Sequence, residues 1–178
     1  MDTEYRRFAA DEAELLAIFL TEEQWPYHGK RPDRDAVLRQ VADGYYESSS
    51  AWTFWIIVND ERVGLIRLFD LEDGGPLFDL RIRAEHRGRG LGSQAVAWLT
   101  QYLFTELPGI RRIEGTTRQD NQAMRRVFRG CGYAKEAHYR DAWPGPGDQI
   151  HDAVGYAILR RDWTTGTITT PHWDDEPS

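Results

Sequence analysis

Residues 51–69 constrain the fold more than any other stretch. Ala51 to Val58 reads AWTFWIIV, a run of β-branched and aromatic residues. Asn59-Asp60-Glu61 follows, and Arg62 to Phe69 returns as a second run of the same kind. Two such runs around a short polar turn predict an antiparallel hairpin. A further strand is expected over Leu77 to Ile82, after the breakers Gly74-Gly75-Pro76. A meander of this kind in mid-chain excludes a purely parallel βαβ array and asks for a sheet with helices laid on it.

The flanks supply those helices. An opening strand is expected over Tyr5 to Ala9. A helix is expected over Asp11 to Leu20, with Asp11 as its cap and Leu15, Leu16, Phe19 and Leu20 as its stripe. A second is expected over Asp33 to Tyr45, with Val37, Leu38 and Val41 on one face. A longer one runs from Leu91 to about Thr105, and a short one from Asn121 to Gly130. Strands are expected over Arg111 to Thr117, Ala134 to Trp143 and Ala153 to Arg160, the last two joined by Pro144-Gly145-Pro146-Gly147-Asp148. The order β-α-α-β-β-β-α-β-α-β-β describes an α+β protein with a mixed sheet. Its 178 residues, 40% hydrophobic, suit one domain with a sizeable core. The domain is expected over 1–163, followed by a tail over 164–178.

Between the strand at Leu77–Ile82 and the helix at Leu91 lies Arg87-Gly88-Arg89-Gly90-Leu91-Gly92. Glycines let an anion approach the main chain, and the helix start offers free N–H groups and the positive end of its dipole. Arg87 and Arg89 add charged donors. The loop is therefore expected to hold phosphate. It lacks the Gly-Lys-Ser/Thr of a Walker loop. The G-x-G-x-x-G dinucleotide fingerprint fails at Ser93, and the antiparallel meander upstream is the wrong setting for it. The charge distribution agrees. Ten Arg against four acids lie between Arg81 and Arg129, in a chain of net charge -7. An acidic chain with one basic region favours a local polyphosphate ligand over nucleic acid or a membrane surface.

Arg87-x-x-Gly90-x-Gly92 in this setting resembles the acetyl-coenzyme A signature of GNAT-superfamily N-acetyltransferases. The block Asn121-Gln122-Ala123-Met124-Arg125-Arg126-Val127-Phe128-Arg129-Gly130-Cys131-Gly132-Tyr133 resembles the same family's N-x-x-[AS]-x-x-x-[YVL]-x-x-x-G-[FY] helix. Arg112-Ile113-Glu114, Glu136, Arg140 and the ending from Asp152 through Tyr156 to Trp163 are similar to the branch of ribosomal-protein alanine N-acetyltransferase-like proteins. The resemblance implies a mostly antiparallel sheet splayed between Leu77–Ile82 and Arg111–Thr117, with helices on both faces. It implies acetyl-CoA as donor, held by the backbone of Leu80, Arg81 and Ile82, by Arg87, Gly88, Arg89, Gly90, Leu91, Gly92 and Ser93, and by Asn121. It implies a primary amine as acceptor: a protein N-terminus, a polyamine or an amine-bearing small molecule.

Acetyl transfer to an amine needs a base, because only the free amine attacks. Asp79 and Glu114 are the candidates, on neighbouring strands. The family's usual acid is a Tyr seven residues after the Asn, and Phe128 occupies that position. Ser93, Tyr133 or solvent remain for that role, and a non-catalytic acyl-CoA-binding module is the alternative function. Trp25, His28 and Tyr139 are expected to meet the acceptor, with Tyr27, Tyr45, Tyr46 and Trp143 nearby in an aromatic-rich set. His28, in a polar loop beside Pro26 and Gly29, is also a candidate base.

No metal is expected. The single cysteine, Cys131, excludes an intrachain disulfide and fits a reducing compartment. The first residues lack a signal-peptide pattern, so a cytoplasmic protein, monomeric or homodimeric, is expected.

Overall fold

The computed structural model describes residues 2–145 and 147–174. One sheet organises the chain, with strands β1 (Thr3–Arg7), β2 (Trp52–Val58), β3 (Glu61–Phe69), β4 (Leu77–Ile82), β5 (Arg112–Arg118), β6 (Ala134–Pro144) and β7 (Ile150–Leu159). Their order across the sheet is β1-β2-β3-β4-β5-β7-β6. Every neighbouring pair is antiparallel except β4 and β5, which run parallel. The expected hairpin is present. Asn59 and Asp60 both take positive φ, 49° and 65°, as a tight two-residue turn between twisted strands requires.

The alternation of β2 explains why helices cover both faces. Phe54, Ile56 and Val58 pack on one side, against Leu91, Ala95, Val96, Leu99 and Leu103 of α3 (Leu91–Glu106). Phe128 of α4 (Gln122–Gly130) joins the same cluster. Trp55 and Ile57 pack on the other, against Leu16, Ala17, Phe19 and Leu20 of α1 (Ala13–Glu22) and Val37 of α2 (Arg34–Ala42). A strand with two apolar faces must be covered twice, and the near-continuous apolar sequence of β2 records this.

Two local expectations are corrected. The first helix is not capped by Asp11. The chain enters through a 3₁₀ turn at Ala10–Glu12, and Asp11 is exposed while Glu12 turns inward. Glu12 accepts from Arg6, Arg62, the Trp55 indole and the Ala9 N–H. Leu15 is likewise exposed, and Ala17 takes its place on the buried stripe. The cap of α2 is as its sequence requires, with Asp33 accepting from the Ala36 N–H at 2.7 Å.

After β7 a further short helix, α5 (Arg160–Thr165), closes the fold. Arg160 donates to the carbonyls of Phe104, Leu107 and Ile110, a cation placed at the negative end of α3. The chain beyond 163 stays attached through Thr169, whose N–H and hydroxyl both donate to Asp162. Of the tail expected over 164–178, residues 175–178 lie outside the described residues, as does Pro146 in the expected loop. No helix among the described residues is long and apolar enough to cross a membrane.

Candidate active site

The two parallel strands meet at one register pair, Leu77 with Glu114, and the Glu114 N–H donates to the Pro76 carbonyl at 2.9 Å. Beyond that point they part. The other edge of β4 is fully paired with β3 through Ile82, and the Arg83 N–H donates to the Val63 carbonyl. Backbone direction alternates along a strand. Arg81 and Asp79 therefore direct their main-chain groups to β3, and Leu80 and Ile82 direct theirs into the gap. The expectation for Arg81 changes accordingly, because its N–H and C=O are not available to an added strand.

A cleft of about 410 Å³ opens on this gap. One wall is the loop ahead of α3. Gly90, at φ 84°, ends that loop in a left-handed conformation, and α3 starts without a side-chain cap. The first intrahelical bond is Gln94 N–H to the Gly90 carbonyl, which leaves the N–H groups of Leu91, Gly92 and Ser93 without helical partners. Gly92 serves packing: a Cβ there would lie 3.4 Å from Val127, so α4 sits close. Arg87 is held by the fold. Its guanidinium donates to the Ile82 and Gln24 carbonyls and lies 5.7 Å from the Trp25 ring centre. It ties loop, strand and the 23–33 connection together. Arg89 is exposed at the mouth. Arg126 of α4 joins Arg87 on the cleft wall, and among the described residues no Asp or Glu lines it. In a chain of net charge -7, the arginines make this wall locally cationic, and Glu23 lies 3.9 Å from the Arg87 guanidinium.

Asn121 lies at the back of the cleft, 8% exposed. Its Oδ1 caps α4 by accepting from the Met124 N–H, and its Nδ2 donates to Thr117 of β5. The side chain fixes α4 to the diverging strand.

A second cavity of about 300 Å³ lies beside the first. The two share Tyr27, His28, Leu80, Asn121 and Met124, and so communicate through the gap in the sheet. Asp79 lines the second cavity, and Trp143 is one of its walls.

Asp79 and Glu114 project from the same sheet face. Phe78, Leu80 and Ile82 pack toward α3 and α4, as does Ile113, so the intervening residues face the α1–α2 side. Their surroundings differ sharply. Oδ1 of Asp79 lies 2.8 Å from Nε2 of His28, and Oδ2 accepts from Arg81 at 3.0 Å. Burial alone would raise its pKa, but His28 and Arg81 more than reverse this and hold the carboxyl well below the ordinary range. Glu114 sits at the closed end of the strand pair, lines neither cavity, and pairs with Arg112 at 2.9 Å. Arg112 also bridges to Glu136.

The setting of His28 is more specific than its polar loop implies. Nδ1 is buried and has no hydrogen-bond partner. The Trp25 ring meets the imidazole edge-on at 6.2 Å, and Trp25 itself is anchored by its indole N–H on the Leu20 carbonyl. Tyr139 is 53% exposed and lines neither cavity. The pairing of β6 with β7 shifts between Tyr139 and Trp143, where Asp141 has φ 54°. That irregularity brings Trp143 to the cavity instead, a rearrangement no residue spacing announces.

The remaining acid candidates separate clearly. Tyr133 is buried, shares a 2.8 Å hydrogen bond with Thr100 and lines neither cavity; burial pushes its hydroxyl pKa up strongly. Ser93 lines the first cavity alone. Phe128 is 1% exposed and stacks on Tyr156 at 4.8 Å. A Cβ on Gly115 would come within 2.5 Å of its ring, so this position is fitted for packing. Tyr27, not among the acid candidates, borders both cavities beneath the Arg118 guanidinium at 4.9 Å.

Residues 3–134 match the family described as "Acetyltransferase (GNAT) domain". Over 169 residues the chain is 25% identical to "Uncharacterized N-acetyltransferase p20" of Bacillus licheniformis, covering 89% of this chain and 93% of that protein. Similar folds include RimL, a ribosomal L7/L12 alpha-N-protein acetyltransferase in complex with coenzyme A. That likeness has 20% identity and a TM-score of 0.77 over 88% of this chain and 93% of RimL. A chimera of the Vibrio cholerae spermidine N-acetyltransferase SpeG is similar at 15% identity and a TM-score of 0.80, over 92% of this chain and 99% of the chimera. The chain belongs to the GNAT acetyltransferase family.

Proposed function

We propose that the protein transfers the acetyl group of acetyl-CoA to a primary amine, with His28 as general base. The observation that carries this reading is the parting of β4 and β5 after a single register pair. It leaves a backbone edge unpaired with β5 between a cleft whose described lining has no carboxylate and a second cavity.

The residues present fit a CoA thioester. Free N–H groups at the start of α3, with Arg126 beside them and Arg89 at the mouth, suit the pyrophosphate. The main chain of Leu80 and the Ile82 N–H suit an amide-bearing arm laid alongside as an added strand, while the Ile82 carbonyl accepts from Arg87. Met124, Val127 and Leu80 give that arm apolar walls. Acetyl-CoA supplies the activated acetyl thioester.

The amine arrives as an ammonium through the second cavity. Nδ1 of His28 is the acceptor for its proton, and Asp79 holds the imidazole through Nε2. With Nε2–H directed at Asp79, the lone pair on Nδ1 is free to act. Asp79 itself is a poor base, since its two oxygens are engaged and its proton affinity is lowered. The Leu80 N–H is assigned to stabilise charge on the acetyl oxygen. Tyr27 is assigned to return a proton to the departing thiolate, since Tyr27 and His28 are the protonatable side chains common to both cavities.

A non-catalytic acyl-CoA sensor is the second reading, favoured by the packed Phe128. Calorimetric titration with acetyl-CoA, followed by thiol release in the presence of an amine library, separates the two. Binding with thiol release supports the transferase. Binding without release for every amine supports the sensor. No binding overturns both.

A further inference from the structure

We infer that the acceptor is a small primary monoamine on an aromatic or branched apolar body, and that the second cavity selects against polycations. This rests on the acetyltransferase reading above and adds the class of acceptor. Among the described residues the cavity holds one carboxylate, Asp79, and both its oxygens already have cationic or imidazole partners. Arg81 lines the same wall, and Arg118 covers Tyr27. Arg81 is paired with Asp79 and Arg118 with Asp120, so a second ammonium entering here meets no unpaired acid among the described lining residues, which in a partly desolvated site costs affinity.

Much of the remaining lining is apolar, with Thr116, Thr117 and Asn121 as its neutral polar members. Phe69, Leu77, Phe78, Phe128, Met124 and Trp143 surround the space. Its volume of about 300 Å³ is at the small end for ligand pockets, room for a ring and a short arm. Trp143 forms the outer wall, placed by the irregularity in β6 around Asp141. An amine on a short arm would put its nitrogen toward the imidazole of His28, a residue that lines both cavities, with its ring against the aromatic walls.

The test pairs binding with turnover. 2-Phenylethylamine, spermidine and a tripeptide with N-terminal Ala are titrated by calorimetry into the protein saturated with CoA. Each is then assayed for thiol release with acetyl-CoA. Phenylethylamine is expected to bind at least about tenfold more tightly than the other two, and to be acetylated. Trp143→Ala and Trp143→Leu are expected to raise its KM about tenfold or more, with the dissociation constant for acetyl-CoA changed less than twofold. Preferential binding of phenylethylamine without thiol release keeps the cavity assignment and overturns the transferase reading. Equal or tighter binding of spermidine or the peptide, or no binding of phenylethylamine, overturns the assignment whether or not acetyl transfer occurs.

Discussion

Nε2 of His28 lies 2.8 Å from Oδ1 of Asp79, which joins the connection between α1 and α2 to the strand that borders the sheet's gap. The pair couples a carboxylate of lowered proton affinity to an imidazole whose other nitrogen is buried and unpartnered. Asp79 then acts through His28. Asp79→Asn is expected to lower kcat by about 10- to 100-fold while leaving the acetyl-CoA dissociation constant within threefold, a loss smaller than that from removing the base itself. Steady-state kinetics with calorimetry checks this. Equal losses in kcat and donor affinity would mean that Asp79 shapes the cleft only.

Glu12 makes a prediction about stability. Burial would raise its pKa, but donors from Arg6, Arg62, Ala9 and Trp55 bring it down to about 2. A carboxyl with a depressed folded-state pKa contributes stability above its unfolded value of about 4.3, and that contribution is lost as pH falls toward the folded value. Urea melts of the native chain should weaken between about pH 4.5 and pH 2. Glu12→Ala is expected to cost about 2–4 kcal/mol at pH 7, because two guanidinium groups and an indole N–H lose their acceptor. It should also flatten that acid limb.

The turn into α3 can be tested at Gly90, whose φ of 84° is unfavourable for residues with a Cβ. Gly90→Ala is expected to cost about 1–2 kcal/mol of stability. It should weaken acetyl-CoA more than tenfold, since the free N–H groups of Leu91 to Ser93 would turn. Thermal melts and calorimetry read the two effects separately. An unchanged donor affinity would place the phosphates elsewhere.

The proton for the leaving thiolate is assigned to Tyr27, so Tyr27→Phe should lower kcat about tenfold or more. Phe128→Tyr should restore less than threefold in that background, because its ring is packed over Gly115 and against Tyr156. Full recovery by Phe128→Tyr would return the role to α4.

The fold was largely legible because its signals are local. The period-2 apolar runs around Asn59-Asp60, the breakers before Leu77 and the glycine loop before Leu91 each act over a few residues. The helix entry at Glu12 was misread, since its bonds to Arg62 and Trp55 span 50 and 43 residues. The loop at Arg87–Gly92 was visible for the same local reason. The cavity proposed for the acceptor was not, because it is assembled from the 25–29 connection, β4, β5 and an irregular β6. Nothing near Tyr139 in sequence shows that Asp141 takes a positive φ and that Trp143 reaches the cavity in its place. The parting of β4 from β5 was likewise implied by resemblance alone, since the single pair Leu77 with Glu114 is a property of the whole sheet.

The central claim is that His28 takes the amine's proton. The pH dependence of kcat/KM for thiol release, compared between the native chain and His28→Gln, tests it most directly. The account predicts a one-proton acid limb in the native enzyme. In His28→Gln that limb should vanish, kcat should fall about 10²- to 10⁴-fold, and acetyl-CoA should bind within threefold of its native affinity. A variant that keeps both the rate and the acid limb would contradict the assignment.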